Sequence, residues 1–107
     1  MTNINNISIA FLNFSEKQTN NEQIIKDLIK FNILFKKNSS IKSLILSKRI
    51  SIDDKNKILS SSIGSIINNS VIEFILFLSK DKSIKQLSKI VKLVEINYKN
   101  RQGIIDV

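Results

Sequence analysis

Proline is absent from this chain of 107 residues, and glycine occurs only at Gly64 and Gly103. A chain with so few helix breakers is free to run as helices joined by short polar breaks. The apolar residues bear this out, because they recur three and four positions apart along most of the length. The breaks are short runs of Asn, Ser, Lys and Asp, and they divide the chain into six segments.

The first segment runs from Ile4 to Glu16, with Asn3 or Asn5 as its cap and Ile7, Ala10, Phe11 and Phe14 on one face. The second runs from Glu22 to Lys36 behind Asn20 or Asn21, with Ile24, Ile25, Leu28, Phe31 and Phe35 at amphipathic spacing. The third is short, Ile41 to Leu46, with Ser40 as cap and Leu44 and Ile45 turned inward. The fourth, Ile52 to Ser61, carries Ile58 and Leu59. It opens on Ser51-Ile-Asp-Asp54, which resembles a capping box and places two acids in the first turn, where the helix dipole favours them.

The fifth segment, Ser65 to Lys80, is apolar almost all round, which predicts a helix enclosed by the others at the centre of a bundle. The sixth starts at Ser83 with the capping-box spacing Ser-Ile-Lys-Gln86. It keeps its stripe through Ile84, Leu87, Ile90, Val91, Val94 and Tyr98. Arg101 suits the C-terminal end of that helix, and Gly103 suits a left-handed residue just past it. Ile104 to Val107 then reads as strand. The expected fold is all-α, a six-helix bundle spanning residues 1–103 with a short strand-like C-terminal exit at 104–107.

The chain offers little to catalysis. It has no Cys and no His, which removes the thiol nucleophile, the thiolate metal ligand and the commonest general base. Asp53 and Asp54 are adjacent, so on a helix they diverge by about 100° and make a poor acid-base or metal pair. No glycine-rich phosphate loop is present. These features point away from an enzyme, from a metal site and from a bound cofactor. Glu73 is the odd acid, a carboxylate inside the most apolar segment. It either pairs with a lysine at a seam or marks a contact with a partner.

The net charge of +8 invites a nucleic-acid reading. The cations, however, are 15 Lys against 2 Arg, and Ile, Asn and Ser are heavily used, as AT-rich coding would give. Base readout favours arginine forks, and single strands are held by exposed aromatics. The lysines are therefore expected to be mainly a solvated surface, with a basic helical nucleic-acid-binding module as the alternative. The N-terminus lacks the basic region and cleavage site of a signal peptide. If residue 1 is the natural start, the protein works in the compartment where it is made. No apolar run reaches the roughly 20 residues that span a bilayer.

Four passages carry a family likeness. Ile7 to Lys17, ISIAFLNFSEK, has Ala10, Phe11 and Leu12 where a family of first helices has residues of the same type, with Ile7 in place of a usual tyrosine. Leu44 to Leu59, LILSKRISIDDKNKIL, follows a Leu-Ser-Pro-Ile-Ser passage with Lys48-Arg49 in place of the proline. Val71 to Val91 follows an apolar segment in which Lys82-Ser83 replace Gly-Arg. Tyr98 to Val107, YKNRQGIIDV, follows a Tyr-to-Arg-Gly-Ile exit with Gln102 extra. In order and spacing the chain resembles the N-terminal domain of the delta subunit of F-type ATP synthase, whose mitochondrial counterpart is the oligomycin sensitivity-conferring protein.

The resemblance implies a non-catalytic stator subunit of the peripheral stalk, held at an energy-transducing membrane by its partners. It implies binding to N-terminal helices of the alpha subunits at the top of the catalytic head. It also implies a link to b-type stalk subunits through a β-containing C-terminal region, of which Ile104 to Val107 would be the start. Residues carried over from the family's groove between the first and fifth helices are Ile7, Ala10, Phe11, Phe14, Phe77, Leu78 and Lys80. Surplus apolar residues on those two helices fit such a groove.

Overall fold

The computed structural model describes residues 3–103, which form α-helices with no strand among the described residues. The helices are α1 (Ile4–Glu16), α2 (Asn21–Lys37), α3 (Ser39–Leu46), α4 (Ile52–Ile63), α5 (Asn69–Asp81) and α6 (Leu87–Arg101). A single 3-10 turn, Ile84–Gln86, precedes α6. The strand-like run Ile104 to Val107 lies outside the described residues.

Polar side chains set the starts of α1, α3, α4 and α5, whereas Asn20, expected to cap α2, makes no side-chain cap bond. Asn3 Oδ1 accepts from the backbone N–H groups of Asn5 at 2.8 Å and Asn6 at 3.3 Å, and Ser51 Oγ accepts from Asp54 N–H at 3.1 Å. For α3 the cap is Asn38 and not Ser40. Asn38 Oδ1 accepts from Ile41 N–H at 3.1 Å, so the helix begins two residues earlier than its apolar pattern. The expected capping box at Ser83 does not form. Ser83 has φ −95° and ψ 0°, away from the extended backbone an N-cap needs, and its buried Oγ has no hydrogen-bond partner. The chain enters α6 through the tighter 3-10 turn instead, with Gln86 N–H bonded to Ser83 C=O.

The largest departure from expectation is the start of α5. Residues 65–68 are not helical. α4 runs on to Ile63 and is capped at Gly64, whose missing Cβ would sit 2.2 Å from the Ser60 carbonyl oxygen. A tight turn follows, with Ile66 and Ile67 N–H both bonded to Ile63 C=O. It separates the two isoleucines, leaving Ile66 half exposed and Ile67 buried. Asp27, buried on α2, anchors this turn: its Oδ2 accepts from Asn68 N–H at 2.8 Å while Oδ1 accepts from Gln23 Nε2 at 2.7 Å. Asn68 then caps α5 by accepting from Ser70 N–H at 2.8 Å.

One contiguous core joins all six helices, with Leu12, Leu28, Phe31, Ile45, Leu59, Ile72, Ile75, Leu78 and Ile90 at or near full burial. α2 and α5 share its centre. α2 packs on α1, α3, α5 and α6, and α5 packs on α2, α3, α4 and the 3-10 turn. α5 is not enclosed all round as its sequence predicts, for Phe77 and Glu73 stand exposed. α1 lies chiefly along α6. Arg101 fastens the two by donating to Asn13 Oδ1 at 2.8 Å and pairing with Glu16 at 2.9 Å. Gly103, at φ 73°, takes the left-handed position past α6. Tyr98 is partly buried against the core, as its stripe predicts.

Lys55 is the unexpected member of the interior. It lies on the same face of α4 as Leu59 and Ile63, is 4% exposed, and donates to Ile45 C=O at 2.8 Å and Ser79 Oγ at 3.1 Å. Burial disfavours the ammonium and lowers its pKa from the usual 10.5. Between the lowered value and 10.5 the unfolded chain binds more protons than the folded one, so stability rises with pH there. Below the lowered value both forms are charged and the penalty is felt in full. Urea unfolding of the chain and of Lys55→Met, from neutral pH up to 10.5, should show the unaltered chain gaining on the variant as pH rises. A difference that stays constant across that range would refute the account.

Candidate functional site

α1 and α5 present two stripes of the same spacing. On α1 the residues are Ile7, Ala10, Phe11 and Phe14, and on α5 they are Ser70, Glu73, Phe74 and Phe77. Each set follows the i, i+3, i+4, i+7 rule and so occupies a single helix face. Between the stripes runs an open groove of about 480 Å³, which Asn6 also lines.

Its floor is Phe11 against Phe74, with ring centroids 4.4 Å apart and planes tilted by 39°. Phe11 and Ile7 are almost fully buried, whereas Phe14 and Phe77 are 43% and 47% exposed. A groove with a fixed aromatic floor and two exposed phenyl rims is a preformed apolar seat.

Glu73 is the one charged residue along it. It is exposed and accepts from Asn69 Nδ2 at 3.3 Å, and it makes no salt bridge among the described residues, so the expected lysine partner is absent. It stands instead where an occupant could meet it.

Five of the residues carried over by resemblance, Ile7, Ala10, Phe11, Phe14 and Phe77, come together here. Leu78 and Lys80 do not. Leu78 follows Phe77 by one residue, a rotation of about 100° on the helix, which carries it fully into the core. Lys80 is exposed on the side of α5 that lines a second depression, near α3 and α4. Glu73, which the sequence marks as either a seam ion pair or a partner contact, also lines the groove, together with Asn6, Ser70 and Phe74, which the resemblance does not point to. Stepping back from Phe77 by three, four and seven positions would have found Phe74, Glu73 and Ser70.

Among the described residues no group of three or more His, Cys, Asp or Glu could hold a metal ion, and no helix is long and apolar enough to cross a membrane. No curated protein and no solved structure matches the chain significantly. The family model for the ATP synthase delta (OSCP) subunit matches residues 8–107, a span that takes in nearly all of both stripes and the core between them. An all-helical bundle matched over almost its whole length in this way belongs to the ATP synthase delta (OSCP) subunit family, a family of peripheral-stalk subunits.

Proposed function

We propose that the chain is a non-catalytic stator domain whose groove between α1 and α5 seats an amphipathic N-terminal helix of an ATP synthase alpha subunit. The observation that carries this reading is the pair Phe14 and Phe77. Each is nearly half exposed, and they rise on opposite rims of a groove already floored by Phe11 and Phe74. Large apolar side chains gathered at one concave place mark a contact surface, and a groove between helices is the seat an amphipathic helix takes.

The physical demand on a stator is resistance to turning. That calls for a rigid body and a broad apolar contact, with no chemical step. Apolar burial contributes about 25 cal/mol per Å², offset by the lost freedom of the docked helix. A well-packed bundle limits that loss to the peptide's share. Glu73 at the rim of α5 would fix the direction in which a helix lies by meeting a cation or free N–H on it. The link to b-type stalk subunits would run through the C-terminal side, past Gly103, and attachment to the energy-transducing membrane would come through these partners.

A titration tests the reading. A synthetic alpha N-terminal peptide should bind the chain with an affinity that changes little with salt, because the contact is apolar. Duplex DNA should bind weakly, and the little binding seen should collapse as salt rises. Tight duplex binding together with an inert peptide would overturn the proposal in favour of a basic nucleic-acid module.

A further inference from the structure

A second depression, of about 630 Å³, lies on another face of the molecule, where the end of α3, the start of α4, the end of α5 and the 3-10 turn meet. It shares no lining residue with the groove. Five lysines converge on it, Lys48, Lys55, Lys80, Lys82 and Lys85, and no carboxylate lines it. Lys48, Lys80, Lys82 and Lys85 are exposed and form no salt bridge among the described residues. Like charges gathered around a lining with no carboxylate repel one another, so the hollow favours an entering anion.

Two further features point the same way. Lys55 is buried at the base of the depression, and both its partners, Ile45 C=O and Ser79 Oγ, are neutral. An ammonium has three N–H donors. Two are used in this way, leaving one donor and a whole charge uncompensated, whereas buried charges are ordinarily paired. Lys82 is the only non-glycine residue with positive φ among the described residues, at 65°, in the place past a helix end where glycine is favoured. The backbone there is strained in a way glycine would avoid, and a lysine stands on the rim instead.

We propose that this depression binds a multiply charged phosphate group, with Lys55 beneath it and Lys48, Lys80, Lys82 and Lys85 around it. A phosphate group carries more negative charge and more acceptor oxygens than a carboxylate, so it can meet more of these ammonium groups at once. The lining holds no aromatic side chain on which a base could stack and no arginine fork to read one. The lysines share the lining of one hollow. The ligand is therefore a condensed phosphate in solution or the phosphate headgroup of an anionic lipid.

Calorimetric titration of the 107-residue chain with tripolyphosphate tests the soluble source, and co-sedimentation with phosphatidylglycerol against phosphatidylcholine vesicles tests the lipid one. The double variant Lys82→Gly/Lys85→Gln should weaken binding by about tenfold or more, and Lys36→Gln/Lys92→Gln, with the same charge change elsewhere, by less than about threefold. Lys82→Gly relieves the strained backbone, so an unchanged or raised melting temperature separates lost binding from lost fold. Alpha-peptide binding should be unaltered by the first pair, which keeps this result apart from the groove. Binding of phosphatidylglycerol vesicles alone, abolished by the first pair, assigns the phosphate to lipid. Equal weakening by both pairs, or no binding of either probe by the unaltered chain, overturns the proposal.

Discussion

Phe11→Asp is expected to unfold the chain, while Phe77→Asp, on the facing stripe of the same groove, leaves it folded. Phe11 is 4% exposed and rests on Phe74 with ring centroids 4.4 Å apart. Removing a buried phenyl group costs about 3–5 kcal/mol. A carboxylate left there finds no cationic partner, since the groove lining contains none, and burying it adds a further several kcal/mol or forces it to protonate. The sum rivals the roughly 5–15 kcal/mol that holds a typical domain together. Phe77 is 47% exposed, so an aspartate there can turn into water. Far-UV circular dichroism with a thermal melt checks both. A cooperative melt for Phe11→Asp near that of the unaltered chain would mean that Phe11 belongs to the open surface and not to the core.

That contrast also marks where sequence reasoning reaches its limit. Periodicity alone locates all six helices, because the spacing of apolar residues is a local property. It also brings Ile7, Phe11 and Phe14 onto one stripe. It cannot say that the stripe is buried at Ile7 and Phe11 and open at Phe14, because that depends on where α5 crosses α1. Leu78 and Lys80 lie off the groove for a related reason: neighbours on a helix point in different directions, so nearness in sequence to Phe77 says little about sharing its face. Ile66 and Ile67 continue the apolar pattern of α5 toward its N-terminus, although the helix starts at Asn69. Gly64, held close against Ser60, and Asn68, capping toward Ser70, carried the stop and start signals there, and the Asp27 contact that pins the turn is non-local. Lys55 was legible in principle. It falls three residues after Ile52 and four before Leu59, on the apolar face of α4, and a lysine at such a place is a buried-charge signal that an acidic, polar stretch conceals.

The double variant Phe14→Ser/Phe77→Ser should lower alpha-peptide affinity about a hundredfold with helical content unchanged, roughly 2–3 kcal/mol of binding. A phenylalanine buries of the order of 200 Å² when fully enclosed, and these two already hide about half of theirs within the bundle. A docked helix can cover the remainder, roughly 100 Å² on each side, and at about 25 cal/mol per Å² that sets an upper bound near 2.5 kcal/mol for each ring. Ordering of the peptide and imperfect cover reduce this to about half. Because the rings stand on opposite rims and touch the same helix, the losses should combine, with each single variant about tenfold weaker. Ile33→Ser serves as the control, since Ile33 is 49% exposed on α2 and outside the groove, and its affinity should match that of the unaltered chain. If the peptide binds and the phenylalanine pair proves indifferent, the helix must lie on some other face. The exposed aromatics would then lack the role that best explains why a folded domain leaves them in water.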